Sequence, residues 1–174
     1  MHRITVKRKR RKGRKMLIYA LVIVGLAIVG SILLKVCFKP QEDLYPQDVL
    51  GVPVYTQLVP QGDSGRPGIL RKIKYVVLHE TGNFAKGADA KAHSSYMLGG
   101  NKDSTSWHYT VDDTCVYHHI PDTEVAWHAG DGKARNGGNM CGIGVEICVN
   151  EDGDFESAFD NAARLTAYLV KAYG

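Results

Sequence analysis

The hydrophobic pattern opens with 19 consecutive uncharged, almost wholly apolar residues, MLIYALVIVGLAIVGSILL at 16–34. That is close to the ~20 residues that cross a hydrocarbon layer as a helix, the form in which a single segment satisfies its own backbone groups. Further along, the apolar positions become periodic. Lys74 to His79 reads as a short buried strand, and DAKAHSSYML (89–98) as a helix with Ala92, Tyr96 and Met97 inward. SWHYTV and TCVYHHI are β-rich runs separated by Asp112-Asp113, which predicts a hairpin with a two-residue turn. GIGVEICV (142–149) alternates, with Ile143, Val145, Ile147 and Val149 on one side and Gly144, Glu146 and Cys148 on the other. The final stretch sets Phe155, Phe159, Ala162, Thr166, Leu169 and Tyr173 on one helical stripe. Strand, helix, hairpin, strand, helix predicts an α/β (α+β) domain, a mixed central sheet flanked by helices, preceded by one N-terminal transmembrane helix.

Charge changes the picture at the N-terminus. Residues 1–15 hold nine of the chain's 22 Lys and Arg and no acid, leaving 13 basic against 18 acidic groups, a net of −5, for residues 16–174. A basic cluster directly before an apolar span marks the cytoplasmic side, so the folded part is expected outside the membrane. A cleaved leader is disfavoured by the length of the apolar run and by the lack of an A-x-A site. With 44% hydrophobic and 23% charged residues, the rest has a folding composition and room for one ordinary domain. Five of the six prolines fall between Lys39 and Lys72, which suggests an extended lead. The expected organisation is a basic tail (1–15), a membrane anchor (16–38), a proline-rich linker (39–54) and a domain (55–174). A single-pass cell-membrane protein is expected, with a monomeric extracytoplasmic domain and no nucleic-acid partner. Cys141 and Cys148 stand at the two ends of an extended run, roughly 20 Å apart at ~3.3 Å per residue, too far for a disulfide.

Some polar residues are left unexplained by this pattern. His79 ends an apolar strand, where a histidine is either hydrogen-bonded at the core edge or a ligand. Glu146 lies mid-strand among apolar neighbours, where a carboxylate needs an ion pair, a metal or a wet cleft. AWHAGDG (126–132) puts a histidine beside a glycine-rich turn suited to close approach of a ligand. His118 and His119 are adjacent in a strand, so at most one of them lines any given site.

VVLHETGN, WHYTVDD, AWHAGDG and GIGVEICVN, in this order from about Val54 to Gly174, resemble the zinc-dependent N-acetylmuramoyl-L-alanine amidases of the phage-lysozyme and peptidoglycan-recognition-protein type. The resemblance implies hydrolysis of the amide between muramic acid and the L-alanine of the peptidoglycan stem peptide. It makes His79 a Zn2+ ligand and Glu146 the catalytic acid and base. It also puts His108, Trp127 and His128 at the substrate. Trp107 occupies the position where some members use a catalytic tyrosine. A catalytic zinc takes three protein ligands and a water, and the family draws two of them from a segment after the last helix. This chain therefore supplies one on the resemblance, unless His118 or His119 and an acid such as Asp131 substitute. The alternative is a non-catalytic peptidoglycan-binding module of the same fold.

Overall fold

The computed structural model describes residues 15–29, 41–100 and 104–174, and the chain divides into two compact units, Met1–Pro40 and Gln41–Gly174. In the first unit, residues 15–29 form helix α1, whose apolar side chains from Met16 to Val29 are exposed. Among the described residues no helix is long and apolar enough to cross a membrane. The expected span 16–34 and anchor 16–38 run past α1 into residues outside the described set, as does most of the basic tail.

The second unit is a mixed sheet of β1 (Asp48–Val49), β2 (Val52–Thr56), β3 (Tyr75–Glu80), β4 (Tyr109–Val111), β5 (Val116–His118) and β6 (Gly142–Ile147), in the order β1-β2-β5-β4-β6-β3. β3 and β4 both run parallel to β6, while β4 and β5 form the expected antiparallel hairpin. Its turn is longer than two residues. Asp112 Oδ1 accepts from the N–H groups of Thr114 and Cys115, and its Oδ2 accepts from Ala90 N–H at the start of helix α2 (Ala90–Leu98). This is the local backbone capture to which a short carboxylate is suited.

Helix α4 (Phe155–Tyr173) follows the four-residue helix α3 (Gly138–Cys141) and β6. Asp154 caps α4 by accepting from Glu156 and Ser157 N–H. Its buried face is Ala158, Ala162, Leu165 and Leu169, packed with Tyr109, Val111, Ile143, Val145 and Ile147. The expected stripe is therefore rotated. Phe155 and Phe159 stay 42% and 51% exposed, because two alanines bring the helix close to the sheet and leave the bulky rings on the flank. On α2 the inward residues are Ala90, His93, Ser94 and Met97, while Ala92 and Tyr96 face out. This helix packs near the opposite sheet face, where Ala90 clusters with Tyr117 and Cys148, and Met97 with Trp107 and Ile120. Cys115, Cys141 and Cys148 are free thiols.

The stretch expected to act as a linker differs from that expectation from Gln41 onward. Gln41 Oε1 accepts from Ile73 N–H, Asp43 Oδ1 accepts from Thr123 N–H, and β2 pairs with β5. Leu50 and Gly51, at φ +54° and +89°, make the tight connection between β1 and β2, the backbone sense that a two-residue hairpin needs. At the far end, Tyr173 Oη lies 2.6 Å from Asp122 Oδ2 and 3.0 Å from the Glu42 carbonyl, while Tyr109 Oη donates to Asp122 Oδ1 at 2.7 Å.

Leu165 is fully buried between α4 and the sheet. Leu165→Ala is expected to lower stability by about 2–5 kcal/mol. Val170→Ala, at a 55% exposed position, should stay within about 0.5 kcal/mol. Urea unfolding of the two variants checks the difference.

Candidate functional site

Parallel pairing sets the site. His79 on β3 is in register with Glu146 on β6, and Glu146 with Thr110 on β4. Register partners in a parallel pair share a face, so His79, Glu146 and Thr110 form a polar row on the side of the sheet away from α4. Trp107 Nε1 donates to Thr110 Oγ1 at 2.7 Å and closes the row beside Glu146. Past the carboxyl ends of β3 and β6 the surface opens into a groove of about 340 Å³ whose lining includes Thr81, Asn83, His93, Tyr96 and Trp107.

His128 arrives from the loop after Val125. Its Nδ1 lies 3.1 Å from His79 Nε2, and its Nε2 lies 3.3 Å from the Gly142 carbonyl. The carbonyl can only accept, so the His128 proton sits on Nε2 and its Nδ1 accepts from His79 Nε2–H. This leaves Nδ1 of His79 as the lone pair of the half-exposed ring. The His128 ring rests on Gly144: a Cβ there would lie 2.5 Å from His128 Cγ. Burial holds the His128 imidazole down at about 4, and burial also lowers His79. The same poorly solvated cleft pushes the Glu146 carboxyl up to about 7.

The structure thus brings together His79, Glu146 and His128, with Trp127 half-buried on the same loop. His108 is placed differently from the expectation. It is fully buried beneath His128, with ring centres 5.8 Å apart. Its Nδ1 accepts from Gly144 N–H, and its Nε2 lies 3.0 Å from the Glu124 carbonyl and 2.8 Å from Arg71 Nη2. Burial, and then the adjacent Arg71, hold its pKa well below the ordinary histidine value. A ring closed over in this way cannot touch substrate; it forms the floor under the site.

The proposed substitute ligands are engaged elsewhere. His118 stacks on Tyr109 and faces Asp122, and His119 meets Thr110 Oγ1; both are fully buried. Asp131 accepts from Gly138 and Asn139 N–H. Among the described residues no three His, Cys, Asp or Glu side chains are grouped as a metal site requires. The described residues therefore do not fit a complete zinc centre. Sequence reasoning missed Asn139, which holds the His128 loop, and Arg71, which packs against His108. The glycine and asparagine run GGNMCG was the only signal for the first.

The N-acetylmuramoyl-L-alanine amidase family profile matches residues 70–174. The chain is 47% identical over 121 residues to the N-acetylmuramoyl-L-alanine amidase CwlH of Bacillus subtilis (strain 168), a match covering 69% of this chain and 47% of that protein. It is 47% identical over 120 residues to the amidase XlyA of the same organism, covering 68% of this chain and 39% of that protein. The chain therefore spans less than half the length of either relative. Among solved structures, the catalytic domain of XlyA superposes with a TM-score of 0.67 at 44% identity, covering 70% of this chain and 78% of that one. PlyL gives 0.61 at 30% identity, covering 70% and 75%.

Two outcomes follow from this geometry. Gly144→Ala would drive its methyl into the His128 ring. The ring must leave its seat, which should appear as shifted His128 and His79 signals in a histidine-ring NMR spectrum. Glu146, raised from the ordinary carboxylate value near 4.3 to about 7, keeps in the folded state a proton that the unfolded chain releases. Its contribution to stability is therefore full below about pH 4 and is lost as pH rises through about 7. Thermal melts of wild type and Glu146→Gln from pH 4.5 to 8 should show the wild type losing ground against the variant across that window.

Proposed function

We propose, from the premise that the chain belongs to the N-acetylmuramoyl-L-alanine amidase family, that it hydrolyses the amide between N-acetylmuramic acid and the L-alanine of the peptidoglycan stem peptide. The observation that carries this reading is Glu146: a carboxyl held at about 7 and in register with His79, whose strand runs on to Thr81 in the lining of an open groove. A group poised near the working pH can both take a proton and return it. In its ionised form Glu146 removes a proton from the attacking water, and in its protonated form it delivers one to the departing amine of L-alanine. His128, neutral at this pH, offers no net charge to the cleft and holds the His79 ring in one orientation. The groove past β3 and β6 gives the stem peptide a bed.

The reading includes a zinc ion on His79, the ring open to the cleft, although the described residues do not complete a ligand set around it. The reading also places the domain outside the cell membrane as a monomer on an uncleaved anchor. It is supported by the basic residues of 1–15, the apolar run 16–34, and the exposed apolar side chains of α1. A second reading, a module that binds muropeptide without cutting it, is favoured by the lack of a metal-binding group among the described residues.

The test is incubation of the full chain, kept in detergent, with purified peptidoglycan while new L-alanine amino termini are counted. Hydrolysis is expected in wild type and should fall by at least about 100-fold in Glu146→Gln, with muropeptide affinity retained. Binding without new termini would favour the second reading. Metal analysis of the same sample is expected to find zinc that His79→Ala loses; an unchanged content in His79→Ala would remove His79 as a ligand.

A further inference from the structure

The loop that carries His128 is neither strand nor helix, and Gly130 and Gly132, at φ +67° and +60°, give it little order of its own. Its backbone is nevertheless held by side chains from α3. Asn139 is 3% exposed and turns its carboxamide toward the loop. Oδ1 accepts from His128 N–H and Ala129 N–H, both at 2.8 Å, and Nδ2 donates to the Gly132 carbonyl at 3.1 Å. With two donors on one side and an acceptor on the other, only one orientation of the amide satisfies all three contacts. Asp131 grips in return, its Oδ2 accepting from Gly138 N–H and its Oδ1 from Asn139 N–H at 3.3 Å. The two segments lie so close that a Cβ at Gly137 would sit 2.2 Å from Asp131 Oδ2, and one at Gly138 2.5 Å from the Ala129 Cβ.

We propose that Asn139 is a positioning residue of the His79, His128 and Glu146 face: its carboxamide fixes the backbone at His128, so that the ring settles on Gly144 with Nδ1 toward His79. The proposal rests on reading that face as the amidase site. Ser106 holds the preceding residue, its Oγ accepting from Trp127 N–H and its own N–H donating to the Trp127 carbonyl, both at 3.0 Å, while the N–H groups of His128 and Ala129 fall to Asn139. Gly144 and the Gly142 carbonyl meet only the ring, and Asp131 meets only the α3 side. The clasp thus converts a glycine-rich connection into a fixed base for one imidazole.

A double-mutant cycle on the full chain tests this, with a spectrum that does not depend on activity. Asn139→Ala is expected to displace the ring signals of His79 and His128 at pH 7 while leaving those of the core residues His118 and His119 in place. It is also expected to reduce peptidoglycan hydrolysis by about 10- to 100-fold. In a His128→Ala background the same change should cost less than about 2-fold, because a residue that acts only through His128 has nothing left to act on. Asn139→Asp, which keeps the acceptor for both N–H groups, should hold the His128 signals near their wild-type position. Unmoved His79 and His128 signals in Asn139→Ala, equal losses in the two backgrounds, or a displacement in Asn139→Asp as large as in Asn139→Ala would overturn the proposal. A wild type that hydrolyses nothing, but whose ring signals answer to Asn139→Ala, would support the clasp and overturn the amidase reading.

Discussion

The register of β3 against β6 is the constraint from which the site follows. Six paired positions, from Tyr75 with Gly142 to Glu80 with Ile147, set the two strands side by side. Ile143, Val145 and Ile147 are anchored in the core under α4, so the opposite residues of β6 are committed to the other face. Because side chains alternate, a slip of one residue would carry His79 toward α4 and bring Leu78 into the cleft. The hydrophobic alternation that buries the sheet is thus also what juxtaposes an imidazole and a carboxylate.

The site is equally a matter of what is missing. Gly144 leaves a shallow seat on the sheet face, and His128 fills it with His108 as a floor beneath. Water is thinned from this cleft, and one cause acts on two kinds of group in opposite directions. It lowers the imidazoles and raises the carboxyl, so each favours its uncharged form and the site carries little fixed charge. A neighbourhood of that kind keeps Glu146 responsive to a proton offered or removed by a reacting molecule.

Much of this was legible in the chain. β6 shows in the sequence because a period of two is a local property, β3 and the hairpin because short apolar and β-rich runs bounded by turn residues are equally local, and Glu146 stood out because its own strand was otherwise apolar. The rotation of α4 was not legible. Phenylalanine outweighs alanine in a hydrophobic pattern, yet Ala158 and Ala162 face the sheet because closeness of approach decides packing. Nor was the depth of His108, since that depends on a histidine 20 residues later folding over it and on Arg71 arriving from the other side. Asn139 escaped for a related reason: an asparagine in a glycine-rich run looks like a turn until the backbone it grips is known.

The bonds around Tyr173 have a consequence for the order of folding. Its hydroxyl meets the Glu42 carbonyl across 131 residues, and Asp43 meets Thr123 across 80. Contacts so distant in sequence close the largest loops and tend to form late. During synthesis β1 and β2 can pair with each other at once, but the rest of their sheet emerges from the ribosome much later. β2 must wait for β5, and the segment from Gln41 to Asp43 stays without its final partner until the end of α4 has been made. The earliest residues of the domain are therefore among the last to find their native place.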